Sequence, residues 1–139
     1  VSLTHYLLDT NAVSATRRPK TEPQMTRFLA AVRPNDLFLS VLTLGELRKG
    51  LILKEKRSRD GVAALSTWID EVQRSYSDRT IAVDTEIAAV WGKLSADRSR
   101  AVIDTLLAAT AIVHGLTLVT RNVGDFEGLP MQLHNPWQT

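Results

Sequence analysis

Cysteine is absent from the chain, which excludes a disulfide framework and a thiolate zinc site and is compatible with a reducing compartment. Long apolar runs are missing too. None approaches the roughly 20 residues that a bilayer span requires, and the opening Val-Ser-Leu-Thr-His lacks the basic and apolar regions of a signal peptide. A soluble, cytoplasmic protein with no membrane association is expected. Charge of one sign is scarce: 17 basic and 15 acidic residues leave a net charge of +2, which permits contact with nucleic acid without demanding it. Linkers, low-complexity tracts and repeats are also missing. With 139 residues, 44% of them hydrophobic, the chain can bury a real core but is too short for two ordinary domains, so residues 1–139 are expected to form one domain.

What is present is an alternation of short apolar runs and helical patterns. The apolar runs at residues 6–8, 37–40, 80–83 and 117–120 read as strands, with a last one at 131–133. Helices are expected over 11–17, from a capping Thr21 and early Pro23 to about Arg33-Pro34, over 43–54, 59–73 and 85–97, and over 102–114. Thr43-Leu44-Gly45-Glu46 has the form of a capping box, and Asp84 reads as an N-cap. Ile87, Val90, Trp91 and Leu94 are the expected buried face of the 85–97 helix. Strands alternating with helices imply βαβ units and an α/β fold with a mainly parallel sheet of four to five strands.

Four polar groups then fall at corresponding places. Asp9 follows the first strand, Glu46 opens the helix after the second, Asp104 lies in the first turn of the 102–114 helix, and Asn122 and Asp125 follow the fourth strand. In a parallel sheet these places share one edge, where ligands bind. Asp9 alone also reads as a helix cap, and Glu46 as a capping-box member. Asp104 is harder to account for structurally, because Val102, Ile103, Leu106, Leu107, Ala109, Ile112 and Val113 leave its helix apolar nearly all round. A carboxylate there needs a partner. Clustered carboxylates repel one another, and a hard divalent cation removes the conflict. Without cysteine, and with His5, His114 and His134 lacking an i, i+4 spacing, an all-oxygen donor set suits Mg2+, or Mn2+, better than zinc. Arg17, Arg18 and Lys20 form one basic cluster, and Arg48, Lys49, Lys54, Lys56, Arg57 and Arg59 a second.

Leu-Leu-Asp-Thr-Asn, Leu-Gly-Glu-Leu-Arg-Lys-Gly, Ile-Asp-Thr-Leu-Leu-Ala-Ala-Thr-Ala and Thr-Arg-Asn-Val-Gly-Asp-Phe occur in this order over nearly the whole chain. Together they resemble the PIN-domain ribonucleases, and most nearly the VapC toxins of type II toxin-antitoxin modules, including the FitB-like branch with its terminal Asn-Pro-Trp. The resemblance implies a PIN-like α/β/α sandwich. It assigns catalysis to Asp9, Glu46 and Asp104, metal binding to these with Asn122 or Asp125, and auxiliary roles to Thr10, Asn11 and Thr120. Many relatives carry Asp where this chain has Asn122, and an acidic residue where it has Ala15.

The activity implied is Mg2+-dependent cleavage of RNA by attack of an activated water, leaving a 5'-phosphate and a 3'-hydroxyl, with Arg17, Arg18, Arg48, Lys49 and Arg121 contacting backbone phosphates. A homodimer and a cognate VapB-type antitoxin, lying across the groove of the N-terminal helices, are implied as well. A non-catalytic PIN-type module that binds RNA or a partner is the main alternative. A haloacid dehalogenase-type phosphatase fits less well, since it wants a second Asp where Asn11 stands and a lysine near the distal acids.

Overall fold

The computed structural model describes residues 4–138; residue 139 and residues 1–3, where the signal-peptide reading begins, lie outside the described part. The elements run β1 (Tyr6–Leu8), α1 (Thr10–Ala15), α2 (Pro23–Ala31), β2 (Leu37–Ser40), α3 (Val41–Arg57), α4 (Val62–Ser75), β3 (Thr80–Ile81), α5 (Thr85–Asp97), α6 (Val102–His114), β4 (Thr117–Val119) and β5 (Leu133–His134). Short 3-10 turns occupy Pro34–Asp36 and Val123–Phe126.

Successive strand residues face opposite sides of a sheet, and this alternation builds the two cores. Leu7 and Leu118 face one side, packed with Leu107, Ala108 and Ala111 of α6 and with Leu94 of α5. Leu8 and Val119 face the other, packed with Val13 of α1, Met25 of α2, Leu47 and Leu51 of α3, and Ile69 and Val72 of α4. The result is the expected α/β/α sandwich. All four strand pairings are parallel, in the order β3-β2-β1-β4-β5. From central β1 the chain runs outward through β2 and β3, then returns to lay β4 on the other flank of β1. The reversal places a crevice between the carboxyl ends of β1 and β4, the usual ligand position in an open parallel sheet.

Several boundaries differ from the sequence pattern. No capping box opens α3: β2 runs into it without a loop, the Ser40 hydroxyl accepts from Leu42 N–H at 3.0 Å, and Thr43 is fully buried inside the helix. Helix α3 continues past Lys54 to Arg57, because no breaker intervenes and its last turn carries Lys54, Lys56 and Arg57, which favour a helix C-terminus. Thr21 does not cap α2; its hydroxyl turns back to the Arg18 carbonyl, and Pro23 starts the helix after Glu22. Helix α4 begins at Val62, after Gly61 with φ of 74°, a left-handed geometry that glycine adopts without strain. The last strand falls at Leu133–His134 rather than 131–133, and β3 is two residues long. On α5 only Ile87 is fully buried, with Val90, Trp91 and Leu94 half-buried, and Val102 at the tip of α6 is 57% exposed. Asp84 caps α5 as expected, accepting from Ile87 N–H at 2.9 Å. Among the described residues, no helix is long and apolar enough to cross a membrane.

Candidate functional site

Asp9 ends β1 and caps α1. Its N–H donates to the Val119 carbonyl at 3.1 Å, which ties it to the end of β4, and its carboxylate accepts from Ala12 N–H at 2.7 Å. The side chain is nearly buried, with 6% of the residue exposed. The capping and site readings of Asp9 are therefore compatible.

Glu46 reaches the same place from the second turn of α3. Leu47 turns into the core, while Glu46 stays half-buried and accepts a short hydrogen bond from the Thr10 hydroxyl. Thr43 Oγ1 lies 3.5 Å from Thr10 Oγ1. Because Ser40 rather than Thr43 serves as the cap, the Glu46 carboxylate is free to cross to α1. Asp104 enters from the first turn of α6, half-buried, on a helix whose N-cap Ala101 supplies no side-chain bond.

The fourth corner is a shaped loop. Asn122 N–H donates to Thr120 Oγ1 at 3.0 Å, Asp125 N–H donates to the Asn122 carbonyl at 3.1 Å, and Phe126 plugs the loop into the second core with 2% exposure. Arg100 holds the loop from outside, donating to the carbonyls of Asp125 at 3.2 Å and Glu127 at 3.1 Å. Nothing in the local pattern marks Arg100, since its two partners lie 25 and 27 residues downstream.

The structure thus brings Asp9, Thr10, Asn11, Glu46, Asp104, Thr120, Asn122 and Asp125 to the lining of one cleft of about 230 Å³. Among the described residues no Lys, Arg or His lines it, and none of its four carboxylates forms an ion pair. The electrostatic cost is visible. Burial raises the Asp9 pKa above its usual 3.8, hydrogen bonds from Thr120 and Ala12 oppose the rise, and the charges of Asp104 and Glu46 add to it. Burial likewise raises Asp104 above 3.8, reinforced by Asp125 and Glu46.

This donor set fits a hard divalent cation. It is entirely oxygen, it is over-charged without a counter-ion, and it offers an amide and hydroxyls beside the carboxylates. Among the described residues no three acidic or imidazole groups converge closely enough to enclose an ion. Mg2+ does not require such a cage, because it usually keeps several waters and takes only one or two carboxylates.

The basic residues divide. Arg17 and Arg18 line a neighbouring groove of about 320 Å³ that shares Thr10 and Glu46 with the acidic cleft. Arg48 is held across α3 and α4 by Asp70 at 2.8 Å and Gln73 at 3.1 Å, and lies outside the cleft lining. Lys49 is exposed on α3. Arg121 stacks 4.3 Å from the Trp137 ring and pairs with Glu22 at 3.1 Å.

A carboxylate-lined crevice at the switch point of a 3-2-1-4-5 parallel sheet defines a class, and the family profile described as PIN domain matches residues 6–128. The chain belongs to the PIN-domain family. It is similar to Toxin FitB of Neisseria gonorrhoeae, 29% identical over 137 residues that cover 94% of this chain and 97% of that protein. It is also similar to VapC ribonuclease Y4jK of Sinorhizobium fredii, 28% identical with 95% and 97% covered. Among solved structures, FitAcB from Neisseria gonorrhoeae superposes with a TM-score of 0.84 at 28% identity, covering 96% of this chain and 99% of that one. FitAB bound to an IR36 DNA fragment gives 0.85 at 26% identity, with 96% of each chain covered.

Proposed function

We propose that the chain is the toxin of a toxin-antitoxin pair and acts as a Mg2+-dependent endoribonuclease at the cleft of Asp9, Glu46 and Asp104. The observation that carries this reading is the uncompensated cluster of carboxylates at the switch point, with Asp9 and Asp104 both raised above the usual carboxylate value. The names of relatives support it: VapC ribonuclease Y4jK and ribonuclease VapC4 of Mycobacterium tuberculosis, the latter 30% identical over 97 residues covering 66% of this chain and 70% of that protein.

Asp9, Asp104 and Asn122 or Asp125 would hold the cation, here Mg2+ with Mn2+ as its substitute, and Glu46 would hold a second or orient the attacking water. A bound cation supplies the positive charge that a scissile phosphodiester needs as it is attacked. The chain's own residues do the rest. Ala12 N–H fixes the Asp9 carboxylate, Thr10 fixes Glu46, and Thr120 holds the turn that presents Asn122. Arg17 and Arg18 flank the cleft where they can meet backbone phosphates, which position a strand without reading its sequence. Products with a 5'-phosphate and a 3'-hydroxyl are expected.

The groove carrying Arg17, Arg18, Lys54, Arg57, Leu65 and Trp68 opens onto the cleft and is the place for an antitoxin segment that occludes it. An antitoxin partner is supported by solved neighbours that include FitAcB and FitAB bound to a DNA fragment. Homodimerisation belongs to the same reading and is checked by light scattering at micromolar concentration. A non-catalytic module is the second reading, favoured by Asn122 at the fourth corner. Controlled expression with sequencing of cleaved RNA ends decides between them. Cleavage that appears with the wild-type chain, disappears with Asp104→Asn and is suppressed by co-expressing the neighbouring open reading frame supports the toxin; unchanged RNA ends refute it.

A further inference from the structure

Beside the acidic cleft lies a second cavity, of about 350 Å³, and the two share Asn11 and Asn122 as a common wall. The proposed nuclease chemistry leaves most of its lining unused. One side is rigid: Arg121 stacks on Trp137 at 4.3 Å, and a single carboxylate oxygen, Glu22 Oε2, accepts from both Arg121 at 3.1 Å and Trp137 Nε1 at 2.7 Å. The C-terminal segment is pinned there by Trp137 N–H donating to Asn135 Oδ1 at 2.9 Å and by Asn135 Nδ2 donating to the Arg121 carbonyl at 3.3 Å. The other side is open to solvent: among the described residues, the exposed side chains of Asn11, Ser14, Arg18 and Asn122 line this cavity and make no internal hydrogen bond or ion pair, so they can exchange water for a ligand.

We propose that this cavity is a subsite for one unpaired nucleobase of the RNA, next to the phosphate that is cleaved. The inference rests on the nuclease reading and adds a determinant of sequence preference to it. Three features select a base over a phosphate. Glu22 neutralises Arg121, which leaves Arg18, shared with the neighbouring groove, to hold the adjoining phosphate while the base fills the cavity. The free groups include amide and hydroxyl oxygens that accept as well as donate, matching the mixed donor and acceptor edge of a base. The guanidinium fixed over the indole leaves its exposed outer face as a flat surface of the kind on which unpaired bases stack. The volume lies within the range of cavities that take small organic ligands, about 300 to 1,000 Å³. The shared wall of Asn11 and Asn122 sets the base beside the acidic cleft.

The test uses the full chain carrying Asp9→Asn, which stops cleavage, and short single-stranded oligoribonucleotides in which an abasic nucleotide is walked through each position. Binding is read by fluorescence anisotropy. One position, adjacent to the site the wild-type chain cuts, should lose affinity about five-fold to a hundred-fold when its base is removed, the range for loss of one stacked base. Adding Ser14→Phe, which fills the cavity from the exposed face of α1, should erase that dependence, and Trp137→Ala should do the same. If Trp137→Ala fails to fold, Ser14→Phe decides alone. Equal losses at every position, or a dependence that survives Ser14→Phe, would overturn the subsite while leaving cleavage by the wild-type chain untouched. Position-dependent binding with no cleavage by the wild type would instead refute the nuclease reading and keep the base site. Absence of RNA binding would overturn both.

Discussion

Replacing Asp9 by asparagine and by alanine separates its two roles. The carboxylate caps α1 through Ala12 N–H at 2.7 Å, and Ala12 is fully buried. Asparagine keeps an acceptor oxygen there and ranks with aspartate as an N-cap; alanine keeps none, at a cost of about 1 kcal/mol and up to roughly 2, because the buried N–H cannot turn to water instead. For 139 residues an unfolding entropy of about 2.1 cal/mol/K per residue makes each kcal/mol worth roughly 3 °C. Asp9→Ala should therefore melt about 3–6 °C below Asp9→Asn. Asparagine also removes a charge that burial, Asp104 and Glu46 all disfavour, so in EDTA at neutral pH Asp9→Asn should melt above the wild type. Both variants should lose RNA cleavage. The assay is a thermal melt by circular dichroism, with and without Mg2+, alongside cleavage. Equal melting of the two variants would refute the capping argument, and an Asp9→Asn chain less stable than the wild type in EDTA would refute the charge conflict.

Three further outcomes follow from the same geometry. Because Asp9 and Asp104 have raised pKa values, the metal-free folded state holds protons that the unfolded state has lost, so stability falls as pH rises from 3.8 through the folded values and then levels; urea unfolding in EDTA should show this fall, weakened in Asp104→Asn, and a wild-type profile identical to that of Asp104→Asn would refute the conflict. Arg100→Ala removes two bonds to the loop of Asn122 and Asp125, and should raise the Mg2+ concentration needed for cleavage while costing about 1–2 kcal/mol in denaturant melts. Arg48→Ala breaks an exposed pair with Asp70, so cleavage should be unchanged and stability should drop by less than about 1 kcal/mol.

Much of the site is legible in the sequence because the signals are local. Tyr6–Leu8 and Thr117–Val119 are apolar runs that stop at polar residues, and Asp104 is a carboxylate on an almost wholly apolar helix. Periodicity reads such features directly. The start of α3 misleads because Thr43 and Glu46 have capping-box spacing, while the actual cap, Ser40, sits at the end of a strand and becomes a cap only because no loop follows. Two further features depend on contacts that no local pattern encodes: Arg100 clamping the Asp125 loop, and Glu22 joining Arg121 to Trp137 across 115 residues. Arg48 and Arg121 are expected phosphate contacts in the sequence, and the fold pairs each with an acidic partner, Asp70 and Glu22, that lies far away along the chain.

Whether these carboxylates hold a divalent cation and cleave RNA with it is decided by incubating an end-labelled single-stranded RNA with the purified chain while Mg2+ is titrated in and then chelated. Cleavage that rises to saturation, stops in EDTA and is lost in a folded Asp104→Asn variant is the predicted result. Cleavage that persists in EDTA, or equally in Asp104→Asn, would contradict it.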